Sequence, residues 1–226
     1  MRVATIARIP IYLHPTFLVL VAGYAGWALW MDGAQAALGA MADIAAIFLS
    51  VVLHELGHAL VARWRGVYTA RITLYPFGGV ASMALPNKPL DELLIALGGP
   101  AVNGALALVG GALWWATGRD QFGLFLGINL VMGLFNLLPA FPMDGGRVVR
   151  ALLAGITGWE RGTRIAMGLG LAFSGLFIGA GAWWRLWSLA LVGAFLVVAL
   201  RTERERLRIF TRREAMRAEL EALLES

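Results

Sequence analysis

Residues 41–63 read MADIAAIFLSVVLHELGHALVAR, an apolar run that holds His54-Glu55-Leu56-Gly57-His58 toward its end. On a helix, two imidazoles four residues apart lie about 40° apart around the axis and one turn above each other, so both reach one metal ion. Glu55, next to the first of them, is placed to take a proton from a water at that metal, which is the chemistry of metal-assisted hydrolysis. Metal-binding and charged side chains inside a helix long enough to span a bilayer are costly and are functional by default. The run therefore sets up an expectation of water chemistry inside a membrane.

The composition agrees. Of 226 residues, 59% are hydrophobic and 15% charged, and several runs reach the roughly 20 apolar residues that a bilayer-crossing helix needs. There is no cysteine, so any metal is held by His, Asp or Glu. The first run, 11–30, is longer than a signal-peptide core and lacks a small-residue cleavage site, and it is expected to stay as a helix. The net charge of +5 is no nucleic-acid signal, because most of the arginines lie in loops and in the last 26 residues, where membrane topology and anionic lipid account for them.

The expected fold is an all-α polytopic membrane protein with about six spans: 13–30, 41–62, 90–115, 122–138, 164–184 and 186–200. Residues 1–200 form the embedded core, and 201–226 a charged helical tail on the cytoplasmic side, solvated or lying on lipid. Seventeen Lys and Arg then fall on one side, leaving Arg119 and Arg185 opposite, which makes both termini cytoplasmic. Trp183, Trp184 and Trp187 group at the outer interface as an aromatic belt does. With Arg63 at the cytoplasmic edge, His58 and His54 lie roughly 8 and 14 Å inside it.

Between the second and third spans, residues 67–85 change period. Arg71, Ile72, Thr73, Leu74 and Tyr75 alternate like a strand, and 76–81 turn into a second one, which predicts a β-hairpin at the membrane face. It is either an ordinary surface hairpin or an exposed edge that pairs with an extended substrate backbone. Further on, Gly98-Gly99-Pro100-Ala101-Val102-Asn103 combines small residues that permit close helix approach with an Asn that needs a partner or a role at lipid depth. After the fourth span, 136–147 reads NLLPAFPMDGGR, whose prolines and glycines break the helix; broken backbone at membrane depth usually lines a polar cavity.

A catalytic zinc normally takes three protein ligands and a water. The third histidine, His14, stands beside Pro15 where the first span begins and reads as an interfacial residue. Outside the tail and Glu55, the carboxylates are Asp32, Asp43, Asp91, Glu92, Asp120, Asp144 and Glu160. Topology puts Asp32 and Asp120 on the far side, and Glu160 falls in a loop. Asp43 lies about 16 Å from His54 along one helix. Asp91 and Glu92 open a helix, where acidic residues suit the dipole. Asp144 remains, either as the third ligand or as the N-cap of the helix that follows it.

HELGH within a span, GGPAVN in the next and NLLPAFPMDGGR after the fourth, with PFGGVA between the first two, resemble the site-2 protease family of intramembrane zinc metalloproteases. The resemblance covers roughly residues 10–150. It implies one Zn2+ on His54, His58 and Asp144, with Glu55 as general base, Asn103 stabilising the intermediate and Asn136 holding the substrate backbone. The implied partners are the lipid bilayer and a single-span membrane protein substrate, in a prokaryotic plasma membrane. Many relatives carry PDZ or CBS domains; this chain is expected to be a minimal form without them. The competing readings are an inactive membrane scaffold, a metal transporter using the same His/Asp cluster, and another membrane metalloenzyme, which would need more histidines.

Overall fold

The computed structural model describes residues 1–201 apart from Phe77 and Asn87, together with Arg204, Glu205 and Met216. The expected tail helix, with its apolar Leu207, Phe210, Leu220 and Leu224, lies outside the described residues, as does the turn residue Phe77 of the expected hairpin. The described residues fall into two compact units, divided after Leu137, a boundary in the proline-rich break.

The first unit begins with two strands, β1 (Arg2–Ile6) and β2 (Ile9–Leu13), followed by α1 (Pro15–Trp64), β3 (Thr69–Tyr75), β4 (Gly78–Met83), α2 (Pro89–Thr117) and α3 (Asp120–Asn136). A straight helix of 50 residues would run about 75 Å, more than twice a bilayer core. It does not run straight: Gly33 has φ 83° and ψ −178°, a backbone that glycine adopts without penalty. The rings of Phe17 and Phe48, on opposite sides of that glycine, meet edge to face with centroids 4.1 Å apart. The element is thus a helical hairpin, its two arms covering residues 15–30 and 41–62 of the stretches expected from sequence. The expected loop at 31–40 shrinks to Gly33 because the alanine-rich residues that follow it favour helix.

His14 caps the first arm, its Nδ1 2.7 Å from Thr16 Oγ1, and its ring stacks on Tyr75 with centroids 4.8 Å apart. The expected hairpin is present as β3 and β4, joined antiparallel, but it is half of a four-stranded sheet ordered β1-β2-β3-β4. Sequence reading assigned 2–13 no strand. Its turn uses Ala7 and Arg8 at φ 50° and 64°, where hairpin turns ordinarily advertise themselves with Gly or Asn.

That omission corrects a second expectation. Arg71, Ile72, Thr73, Leu74 and Tyr75 are not an exposed edge. One side of β3 pairs in parallel with β2 through Ile11↔Ile72, Tyr12↔Thr73 and Leu13↔Leu74. The other pairs with β4. Among the described residues, the outer sides of β1 and β4 are the open edges. Alternate residues Ile9, Ile11, Ile72 and Leu74 turn from the sheet onto Leu56 and Ala59 of α1, forming the core of this unit.

Helices α1 and α2 cross at glycines. A Cβ on Gly57 would strike the Gly98 carbonyl oxygen and lie 2.8 Å from Val102 Cγ2; one on Gly98 would lie 2.8 Å from the Gly57 oxygen. Small residues allow such approach where lipid removes the hydrophobic drive for helix association. Helix α2 ends on Gly118 in left-handed conformation, φ 64°, and α3 returns against it.

In the second unit, residues 138–143 wrap tightly onto α4 (Asp144–Thr157), which precedes α5 (Trp159–Trp183) and α6 (Trp187–Arg201). Gly146 makes the wrap possible, because a Cβ there would come within 2.5 Å of Phe141 N and 2.7 Å of Ala140 C. Phe141, Ala166 and Leu200 form the core. Arg150 is buried, its guanidinium 4.9 Å from the Phe141 ring centre and 5.4 Å from that of Trp159. Helices α5 and α6 meet where Gly181 faces Ala190 and Gly193 faces Ser174.

The glycine crossing gives a direct test. Gly57→Ala should lower stability in detergent or nanodiscs by about 1–3 kcal/mol, as overpacking does, read as a fall in thermal midpoint. Gly39→Ala, in a helical position with nothing within 4 Å, should leave the midpoint unchanged or raise it.

Candidate metal centre

The second arm of α1 carries His54, Glu55 and His58, and the crossing with α2 brings three acceptors or donors against them. His54 Nδ1 lies 2.5 Å from Asn103 Oδ1, and His58 Nδ1 lies 2.7 Å from the Ile95 carbonyl oxygen. Both imidazoles are buried. The Gly99 backbone N–H lies 3.3 Å from the same nitrogen, but the 2.7 Å contact with a carbonyl, which only accepts, is the shorter, so His58 Nδ1 carries the proton. Asn103 turns its amide nitrogen to Asn129 Oδ1 at 2.9 Å and to Met132 Sδ at 3.4 Å, so its oxygen faces His54, and His54 Nδ1 is also protonated. In neutral rings both Nε2 atoms then bear lone pairs.

Those two Nε2 atoms are 3.1 Å apart. Both are unprotonated by the argument above, so this close approach is no hydrogen bond but two lone pairs converging on one point. Two nitrogens about 2.0–2.1 Å from a tetrahedral zinc stand about 3.3 Å apart, so the pair fits such an ion. The outer nitrogens are held by carbonyl oxygens, as metal-ligating histidines require. Gly99 supplies the clearance: a Cβ there would collide with His58 Nε2 and lie 2.7 Å from His54 Nε2.

Glu55 is half-buried and lies against β4. A Cβ built on Gly79 would collide with Glu55 Cγ and stand 3.1 Å from its Oε1. The carboxylate next to the imidazole pair therefore rests on the strand whose outer edge is open. Arg71, Ile72, Thr73, Leu74 and Tyr75 are one strand further in.

The remaining sequence-predicted residues have these positions. Asp144 is the first residue of α4 in the second unit, buried, with Arg147 NH1 3.8 Å from its Oδ1. It is not the cap of that helix, since Met143 occupies the N-cap and no side chain caps it. Asn136 ends α3, half-buried, its amide donating to the Met132 carbonyl at 3.0 Å. Asp91 is taken up by Arg65 at 2.5 Å. Sequence reading missed Asn129 and Ser50, both fully buried, the first bonded to Asn103 and the second to Asn129. Asn129 fell to no motif, but the test applied to Asn103, an amide in a lipid-depth helix, would have picked it out.

Among the described residues, three helices are long and apolar enough to cross a membrane, Pro15–Trp64, Pro89–Thr117 and Trp159–Trp183, and the imidazole pair lies on the first. The class so defined is a helical integral membrane protein with a buried imidazole pair that could hold a metal ion. The chain belongs to peptidase family M50, whose model matches residues 42–119 and 111–177, and the resemblance expected from its motifs holds. It is 38% identical over 175 residues to a zinc metalloprotease of Methanocaldococcus jannaschii, covering 75% of this chain and 50% of that one. It is 31% identical over 150 residues to stage IV sporulation protein FB of Bacillus subtilis, covering 64% and 52%. It thus spans about half the length of these relatives. Among solved structures it is similar to the site-2 protease from Methanocaldococcus jannaschii, with a TM-score of 0.67 and 35% identity over 90% of this chain and 94% of that one.

The clearance over Gly99 is testable. Gly99→Ala should lower zinc affinity about tenfold or more, in the range that disturbed ligand support produces, measured by competition with a chromophoric chelator.

Proposed function

We propose that this chain is an intramembrane zinc metalloprotease, with one zinc ion per chain, that hydrolyses peptide bonds in or near the spanning segment of single-span membrane proteins. The observation that carries the reading is the converging Nε2 pair of His54 and His58 inside a helix of spanning length, with the Glu55 carboxylate lying over Gly79 of β4, a strand whose outer edge is open. The M50 relationship supports it.

His54, His58 and Asp144 hold the ion. Asp144 is assigned by elimination among the carboxylates, and its burial at the head of a helix whose cap is another residue supports the assignment. When bound, zinc supplies a Lewis acid for a carbonyl and a water acidified to near neutrality. Glu55 accepts the proton of the attacking water and returns it to the departing amine. Asn103 holds His54 with its oxygen; the amide hydrogen resting on Met132 Sδ, a weak acceptor, is the one it turns toward the developing oxyanion. Asn136, in the last turn of α3, holds the substrate backbone.

A substrate helix hides its carbonyls in its own hydrogen bonds and must unwind to react. The outer edge of β4 offers replacement partners beside Glu55, so the substrate is received there as an added strand. The full arrangement has six spans with both termini cytoplasmic, in a prokaryotic plasma membrane, which the charge bias of the loops supports.

Glu55→Gln should keep zinc bound and lower cleavage of a reconstituted single-span substrate by about 10²–10⁴-fold. Asp144→Ala should lose the metal. Undiminished cleavage by the first removes Glu55 as base, and full zinc retention by the second moves the third ligand elsewhere.

A further inference from the structure

We propose that Asn129 and Ser50 are positioning residues that fix the ring tautomer of His54 through the amide of Asn103. The purpose assigned to them rests on the metalloprotease reading; the geometry does not.

The chain of contacts has a direction set by backbone. Asn129 Nδ2 lies 3.0 Å from the Phe125 carbonyl oxygen and 3.1 Å from Ser50 Oγ. Because a backbone carbonyl cannot donate, the atom of Asn129 facing it is the nitrogen; a flipped amide would set two oxygens against each other. Ser50 in turn donates to the Ala46 carbonyl at 3.0 Å, which leaves its oxygen to accept from Asn129. The oxygen of Asn129 must then face Asn103, 2.9 Å away, and accept from its amide nitrogen. That turns the Asn103 oxygen to His54 Nδ1. Nδ1 carries the proton, and Nε2 is left as the ligand atom.

Each link is closed from water: Ser50, Asn103 and Asn129 have no exposed surface. In such a setting a wrongly oriented amide leaves buried groups unsatisfied, so one arrangement is selected. Three helices take part, Ser50 on α1, Asn103 on α2 and Asn129 on α3. Without the acceptor on Asn129, the Asn103 amide can rotate and present its nitrogen to His54; the proton then moves to Nε2, where it blocks the metal.

The test uses the full chain in lipid nanodiscs, metal-free and 15N-labelled at histidine, with His54 assigned by comparison with His54→Asn. In the wild type, His54 Nε2 should resonate as an unprotonated nitrogen. Asn129→Leu should show both tautomers, and zinc affinity measured by chelator competition should fall 10–100-fold, the usual effect of losing an outer partner of a ligand. Ser50→Ala should fall several-fold, since the Phe125 carbonyl still holds Asn129, and Ser50→Thr should restore wild-type affinity. A single unprotonated Nε2 and wild-type affinity in Asn129→Leu overturn the proposal. Should that variant not fold, Ser50→Ala with unchanged tautomer and affinity does so. A wild-type chain that binds zinc with the expected tautomer yet cleaves nothing would instead strike the protease reading and leave this one standing.

Discussion

The close crossing of α1 and α2 is the constraint on which the site depends. Gly57 and Gly98 remove the Cβ atoms that would keep the two backbones apart, and Gly99 clears the space over the two Nε2 atoms. As a result the Ile95 carbonyl reaches His58, and Asn103, eight residues on, reaches His54. One helix thus supplies the inner nitrogens and the other holds the outer ones. Moving the axes apart by the width of a methyl group would break both outer hydrogen bonds together, because the same backbone contact sets both distances.

The polar groups of this unit follow from what such a crossing costs in lipid. Imidazoles, amides and a hydroxyl at membrane depth are expensive unless every donor and acceptor finds a partner. The solution is a set of side chains running from His54 to Ser50 that finishes on carbonyls of the helices themselves, Phe125 and Ala46. In a soluble protein water could complete such a set; here the helix backbone does so.

The sequence disclosed the part of this built from strong local patterns. Apolar runs marked the long helices, alternation marked β3, and the HELGH spacing marked the imidazole pair. What stayed hidden depended on partners far along the chain. Strands β1 and β2 have a turn of Ala7 and Arg8 with no glycine, and Pro10 within β2 argues against a strand. Without them β3 had to read as an edge. Asn129 carries no motif, and its importance comes from a neighbour 26 residues away. The helical stretch after Gly33 was lost because a span was ended where hydropathy dipped, although its alanines keep the helix going.

The sheet and the first helical hairpin are one device. Strand β2 leads into α1, and α1 leads to β3, which pairs in parallel with β2; such a connection needs a long crossover, and here the crossover is the helical hairpin itself. The His14 amide donates to the Leu74 carbonyl at 2.9 Å and Arg63 Nη1 to the Ala7 carbonyl at 3.0 Å, so the two ends of the hairpin are tied to opposite ends of the sheet. Leu56 and Ala59 bury themselves against that sheet, and Glu55, the neighbour of Leu56, is thereby fixed against Gly79 of β4. Of the two open edges, β1 lies three strands from β4, about 14 Å at ordinary strand spacing, too far for an added strand to present its carbonyls to Glu55. Only a chain laid along β4 would meet the carboxylate, so on the proposed reading the edge open to a substrate is set by where α1 is anchored and not by the composition of the strand.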